Sequence, residues 1–201
     1  MSEIFQKLEA RLGLEDRICR QGEGVRIAFG GRMGAGKSTL AREISQFYAA
    51  RGVNFKTDSF AEGVREVARD LFGMTRKDRG LLISIGNKMR EIDPDVWAKR
   101  VVRGFDGGDE GGGGMEGEGM DGGDGEVGGE KYCLVDDLRY PNEARYLREA
   151  GFILVYLDVD RETQLERLQK TYPSTWKDHV EYLDHFTENG PGIDFDLILL
   201  V

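Results

Sequence analysis

With 201 residues, 39% of them hydrophobic, and only two cysteines, the chain is long enough to build one core without disulfides or structural metal. Cys19 and Cys133 read as reduced thiols of a cytosolic protein, and no apolar run approaches the ~20 residues of a membrane span. The formal net charge is −9, and where that charge sits matters more than its size.

The N-terminal "MSEIFQKLEARLG" reads as a short amphipathic helix. It lacks the arginine-rich, acid-poor character of a transit peptide, so the expected location is the cytoplasm, or a host's cytoplasm if the source is viral. "VRIAFGG" (25–31) is an apolar run stopping in glycines, the pattern of a buried strand, and "STLAREISQFYAARG" follows with helical spacing. "VNFKTD" is a second short strand. Ser59 with Glu62 forms a capping box ahead of "FAEGVREVARDLFG", whose Phe60, Val64, Val67, Ala68 and Leu71 share one face and which Gly73 ends. A helix over about 78–91 carries Leu81, Leu82, Ile85 and Met89. The next helix is expected to take Asp93 as N-cap and Pro94 as its first residue, with Val96, Trp97 and Val101 on one face.

Residues 104–130 hold nine acidic residues, no basic one, and 14 of the 29 glycines. The acidity therefore belongs to this segment, and the rest of the chain is near neutral. So few apolar groups cannot offset an ordering entropy of ~1–2 kcal/mol per residue, so the segment is expected to be a disordered acidic insertion in a single domain spanning 1–201. Beyond it come strand "KYCLV", helix "PNEARYLREAG", strand "FILVYLDV", helix "RETQLERLQK", a polar stretch with Trp176, and a last strand, "FDLILL". Strands alternating with helices predict an α/β fold, a five-stranded parallel sheet covered on both faces.

"GGRMGAGKST" contains a full G-x-x-x-x-G-K-[ST] match between a predicted strand and a predicted helix. Gly31, Arg32, Met33, Gly34, Ala35, Gly36, Lys37, Ser38 and Thr39 would cradle the phosphates of ATP with backbone amides at a helix N-terminus. Lys37 would reach the β- and γ-phosphates, and Ser38 would ligate Mg²⁺. No N/T-K-x-D motif of a GTPase switch is present. AAA-type and motor ATPases usually end an acidic strand in Asp-Glu, the glutamate polarising water, whereas here the pair is Asp136-Asp137, followed by Leu138 and Arg139. A kinase instead needs a carboxylate near metal or acceptor and cations on the acceptor's phosphate. Asp137 and Arg139 fit that need, although a surface pairing of Arg139 with Asp136 also fits the spacing.

"LVDDLRYPNEARYLREAG" resembles the V-x-D-x-R-[FY]-P-N-E-A element of phage-type deoxynucleoside monophosphate kinases. In the same order, "FKTDSFAEGVREVARDLFG", "IGNKMREIDPDVWAKRV" and "DHFTEN" are similar to that family's monophosphate-site helix, its D-P-D-x-W segment and its H-x-S-E box, with Thr187 for the usual serine. The resemblance implies a P-loop three-layer fold of the nucleoside-monophosphate-kinase type. It also implies transfer of the ATP γ-phosphate to a (deoxy)nucleoside monophosphate, with Mg²⁺. Lys37, Asp137, Arg139 and Arg167 would be catalytic, and Ser38 and Asp137 would serve the metal. Phe60, Arg65, Arg90, Trp97, Asp137, Arg139 and Glu188 would bind the acceptor; Trp97 would stack on a base or serve the core. Arg161, Arg167 and Lys170 lie where such kinases place a cationic lid. His185 reads as a structural cap, because this chemistry needs little acid–base help. Members of that family continue beyond the last strand with an adenine-contacting loop and a final helix, and this sequence departs from them by stopping at Val201. The expected partners are small-molecule nucleotides, neither nucleic acid nor membrane, and a homodimer is compatible with the sequence. Two alternatives stay open: a P-loop kinase of the dephospho-coenzyme A or phosphomevalonate type, and a nucleotide-binding regulatory protein whose acidic tract binds a partner.

Overall fold

The computed structural model describes residues 1–107, 129–180, 183 and 192–201. The acidic stretch 108–128 and the "HFTEN" residues His185, Thr187 and Glu188 lie outside the described residues. The central strand is β1 (Val25–Gly31), flanked by β3 (Tyr132–Leu138) and β4 (Ile153–Asp158), with β2 (Lys56–Asp58) and β5 (Leu197–Leu200) at the edges. The order is β2-β3-β1-β4-β5 and every pair is parallel, the five-stranded α/β sheet that the alternating pattern predicts.

Side-chain alternation on β1 divides the core into two. Ile27 and Phe29 face a cluster with Leu40 and Ile44 of α2 (Lys37–Ala49), while Ala28 faces one with Phe60, Trp97, Phe105 and Leu147. The first cluster includes a part the sequence did not assign to the core. In α1 (Glu3–Leu12), Phe5 and Leu8 are fully buried, and Leu14 and Ile18 follow them, the latter in a single π-helical turn at Asp16–Arg20. Phe5 meets Phe47 edge-on at 5.1 Å, and the buried Tyr48 hydroxyl donates to Glu9 at 3.1 Å. Each such apolar side chain contributes ~1.5–3 kcal/mol by burial, so α1 is part of the fold and not an appendage.

The second face carries α3 (Phe60–Phe72), α4 (Arg79–Ile92), α5 (Val96–Phe105) and α6 (Pro141–Glu149). Three local expectations shift here. Ser59 Oγ accepts the Glu62 amide at 3.1 Å, but the Glu62 carboxylate turns to Arg65 and Arg69, so the capping box is half made. The inward stripe of α3 stops at Ala68, and Leu71 is 76% exposed because no core element packs on the last turn. α5 starts two residues late: Asp93 Oδ1 accepts the Asp95 amide in a local turn, and Asp95 takes the N-cap position. After β4 come α7 (Arg161–Thr171), capped by Asp160, and α8 (Trp176–Val180), a short helix where the sequence showed only a polar stretch. None of the helices among the described residues is long and apolar enough to cross a membrane.

The two ends of the acidic segment belong to the fold, which narrows its expected limits. Gly104 and Phe105 finish α5, and the Glu130 amide donates to the Phe105 carbonyl at 2.5 Å. Arg26 ties both sides, donating to Asp106 Oδ1 at 2.7 Å and to the Glu130 carbonyl at 3.1 Å. Lys56 adds a bond to the Gly104 carbonyl at 2.8 Å and an ion pair with Glu130 at 3.6 Å. Val25 pairs with Tyr132, so this closure lies at the strands' N-terminal ends, about 20 Å from the far ends of seven-residue strands. Replacing 108–128 with a four-residue Gly-Ser linker shortens a loop whose ends are already joined, which favours folding by about 1 kcal/mol. The thermal midpoint is expected to stay level or rise; a fall of more than about 5 °C in a calorimetric melt would show that the segment itself stabilises the domain.

Candidate functional site

β1 runs into a loop that returns as α2, with Gly31, Gly34 and Gly36 at φ 132, 80 and 96, conformations that residues with a Cβ avoid. At Gly31 an added Cβ would also stand 2.5 Å from the Leu157 carbonyl oxygen of β4. The Ala35 amide closes a turn on the Arg32 carbonyl at 3.1 Å, and Lys37 Nζ donates back to the carbonyls of Gly31 at 2.6 Å and Arg32 at 2.9 Å. Ser38 and Thr39 occupy the first turn of a 13-residue helix, where amides have no acceptor within the helix. A glycine loop, a helix N-terminus and a lysine therefore come together, an arrangement suited to a polyphosphate.

The neighbouring strand end carries both aspartates. β3 continues three residues past the predicted KYCLV, so Asp136 and Asp137 lie inside it. Ala28 pairs with Val135 but Gly30 with Leu138, so β3 holds one extra residue between them, a bulge at the aspartates. Its effect is visible in the core: Val135 and Leu138, three apart, face the same cluster. Alternation from Leu134 places Asp136 on the sheet face against which α2 packs. Asp137 turns the other way, accepting the amides of Phe60 and Ala61 at 2.9 Å on its two oxygens. Burial pushes its carboxyl up to about 6, against the lowering effect of those two amides.

Arg139 emerges just beyond. Its amide and that of Tyr140 donate to Glu143 Oε2 at 3.0 and 3.1 Å, and the buried Glu143 lies 3.5 Å from Arg90 Nη2. Burial holds the Glu143 carboxyl up to about 7, with Asp137 adding in the same direction and Arg90 opposing. Arg90 itself lies 4.7 Å over the Tyr140 ring. Glu143, which the sequence did not single out, thus joins the Arg139 backbone amide to the Arg90 guanidinium.

Phe60 and Trp97 are 3% and 4% exposed members of the second core cluster, and the Trp97 indole N–H points to the Gly86 carbonyl at 3.4 Å. Arg65 pairs with Glu62 at 2.7 Å on the outer side of α3. Arg100, also absent from the sequence reading, donates to both oxygens of Asp58 and to Glu66, joining β2, α3 and α5. Gly63 makes this bridge possible, since a Cβ there would stand 2.5 Å from Arg100 Cδ. From α7, Arg167 reaches the loop, donating to the carbonyls of Gly34 and Ala35 at 3.3 Å each, while Lys170 points to solvent. Glu188, predicted for the acceptor, lies outside the described residues. Cys19 and Cys133 are free thiols, the buried one pushed up to about 12 by desolvation and so inert.

Among the described residues no three His, Cys, Asp or Glu side chains gather as a metal cage. Mg²⁺ does not need one, because it is held by a few hard oxygens together with phosphates and water. Ser38 and the adjacent strand-end carboxylates provide oxygens of that kind.

Residues 27–181 match the family AAA_18, described as an AAA domain. No curated protein matches the sequence. Among solved structures, the chain is similar to an uncharacterized protein from Eubacterium ventriosum ATCC 27560, at 15% identity and a TM-score of 0.43 over 88% of both chains. It is also similar to a structure from the PezAT chromosomal toxin-antitoxin system of Streptococcus pneumoniae, at 14% identity and a TM-score of 0.40 over 100% of this chain and 76% of that one.

A carboxyl group raised in the folded state binds more protons there than in the unfolded chain between the two pKa values. Asp137 and Glu143 therefore contribute a stability that declines as pH rises from about 4 to about 7. Glu143→Gln removes that titration and also weakens the acceptor for two amides. Its stability deficit relative to the wild type is expected to be larger at pH 5 than at pH 8, by about 1–3 kcal/mol. Urea midpoints of both proteins at the two pH values test this, and a deficit that does not change with pH would refute the raised carboxyl.

Proposed function

The chain belongs to the AAA_18 family of P-loop nucleotide-binding domains, and from that premise we propose that it transfers the γ-phosphoryl group of ATP to a (deoxy)nucleoside monophosphate. The observation that carries this reading is the end of β3. Where a water-activating ATPase has the glutamate of its Asp-Glu pair, this chain has Asp137, whose two oxygens accept the Phe60 and Ala61 amides, with Arg139 two residues on at the rim. A shorter carboxylate already bonded to two backbone amides is poorly placed to polarise water, and a cation just beyond it suits a phosphorylated acceptor.

In this reading the loop amides and Lys37 hold the donor's phosphates. Lys37 is tethered to the Gly31 and Arg32 carbonyls, at the loop whose amides would meet those phosphates. Mg²⁺, when bound, neutralises charge on the β- and γ-oxygens. Ser38 and a strand-end carboxylate would hold it. Asp136 faces the α2 side and joins Asp137, the carboxylate favoured from sequence, as a candidate. Asp137 anchors the first turn of α3, so it fixes the wall on which Arg65 sits. Arg139 and Arg90 supply positive charge to the acceptor's phosphate on that side. Arg167, already against the loop, compensates charge at the transferring group. The partners are small-molecule nucleotides, and the chemistry relies on positioning and charge more than on a general base.

A coupled ADP-release assay across the four deoxynucleoside monophosphates, dephospho-coenzyme A and phosphomevalonate distinguishes the acceptors. Turnover with at least one deoxynucleoside monophosphate is expected; turnover with a non-nucleotide only, or ATP hydrolysis indifferent to every acceptor, overturns the reading. Lys37→Ala is expected to abolish turnover and weaken ATP binding. Arg139→Ala is expected to lower kcat/KM for the acceptor about 100-fold while ATP affinity stays near the wild-type value. An Arg139→Ala protein that loses thermal stability but keeps its kinetics would assign that arginine to the surface.

A further inference from the structure

Glu143 and Gln164 are buried polar side chains. Gln164 is 0% exposed on the inner face of α7, one turn before the buried Leu168. An amide placed there costs stability unless its donors and acceptor are satisfied. Its Nε2 donates to the Met33 carbonyl at 2.8 Å, and its Oε1 accepts from Arg161 Nη1 at 3.4 Å. One turn further along, Arg167 donates to the carbonyls of Gly34 and Ala35. Three successive carbonyls of the phosphate loop are thus held by one helix.

In a trans peptide the carbonyl of one residue and the amide of the next point in opposite directions, and this chain has no cis bonds. Holding the carbonyls of Met33, Gly34 and Ala35 against α7 therefore turns the amides of Gly34, Ala35 and Gly36 away from it. The Ala35 amide closes the turn on Arg32, while those of Gly34 and Gly36 are directed away from α7. Sterics alone do not fix this. Gly34 has φ 80 and no Cβ, so the peptide between Met33 and Gly34 can rotate at little cost unless something outside the loop holds it. Gln164 is that tether, and its side chain packs beside Gly34, where a Cβ would stand at ordinary contact distance, 3.6 Å, from Gln164 Cγ.

We infer that Gln164, with Arg167 beside it, is a positioning residue for the phosphate loop, fixing its peptide planes so that the amides of Gly34 and Gly36 face the donor's phosphates. The inference rests on the loop binding a triphosphate and does not depend on which acceptor the protein uses.

The test is titration calorimetry of the full chain with Mg-ATP and, separately, with inorganic tripolyphosphate, which presents the phosphates without a base. Gln164→Met keeps the volume and removes the donor. It is expected to weaken both ligands by the same factor, about tenfold, consistent with one lost orienting hydrogen bond. Gln164→Asn, whose donor is withdrawn by one methylene, is expected to weaken both less. It also provides the same comparison if the methionine variant does not fold. Leu165→Ala, on the same helix and away from the loop carbonyls, is expected to lower the melting temperature without changing either affinity. Wild-type affinity for tripolyphosphate in the folded Gln164 variants overturns the inference. So does a loss confined to ATP, or an equal loss in Leu165→Ala. Binding of neither ligand by the wild type overturns it together with the phosphate-loop reading. A wild type that binds both ligands but phosphorylates no acceptor leaves the inference standing and refutes only the proposed transfer.

Discussion

Asp137 accepts the Phe60 amide on one carboxylate oxygen and the Ala61 amide on the other, tying the end of β3 to the first turn of α3. The β3 bulge acts on the residues that follow it. Without the extra residue, strict alternation would carry Leu138 to the opposite face, out of the second core cluster, and would move the chain beyond it as well. Alternation turns one aspartate to the α2 side and the other to α3, and with the extra residue Leu138 stays in the core as Arg139 leaves the sheet at the rim where the phosphate loop begins. Glu143 then fixes the exit by accepting the amides of Arg139 and Tyr140. The parallel sheet brings these strand ends together, because β3 lies between β1, which feeds the loop, and β2, which feeds α3.

The same sheet has a different character at its other end. At the C-terminal ends, carboxylates are buried at a cost in charge solvation and are offset by backbone amides and arginines. At the N-terminal ends, Arg26 and Lys56 close the base of the acidic segment with polar bonds across the strands. The two ends of the acidic segment are thus joined to the fold at the strand ends opposite the phosphate loop. The expense of buried polar groups is concentrated where chemistry needs fixed charge, which is how functional sites depart from the apolar pattern of the rest of a core.

α7 adds the third support. Its contacts with the loop are polar and directed at carbonyls, so the helix holds orientation as well as filling space. Arg167 was expected from sequence as a lid cation, and in the structure it lies against the loop itself. That position is compatible with a role toward the transferring phosphate and also gives it a share in shaping the cradle.

The sequence alone determined the layered α/β fold, the order of the strands and of the helices other than α8, and the phosphate loop. These rest on local physics: apolar runs of strand length, helical spacing of Leu40 and Ile44, and glycines required where φ is positive. It also picked out Asp137 and Arg139, because two residues apart at a strand end is a local relation. It did not reveal the anchoring of α3 by Asp137, the Arg100 bridge between Asp58 and Glu66, the buried Glu143 beside Arg90, or the Gln164 tether. Their partners lie 77, 42, 53 and 131 residues away along the chain. Local pattern also misjudged Leu71, whose helical spacing was right but whose turn has nothing packed against it, and the start of α5, where Asp93 bonds its own turn. Which polar groups end up buried, and what they hold, was decided only when the parallel sheet set those distant segments side by side.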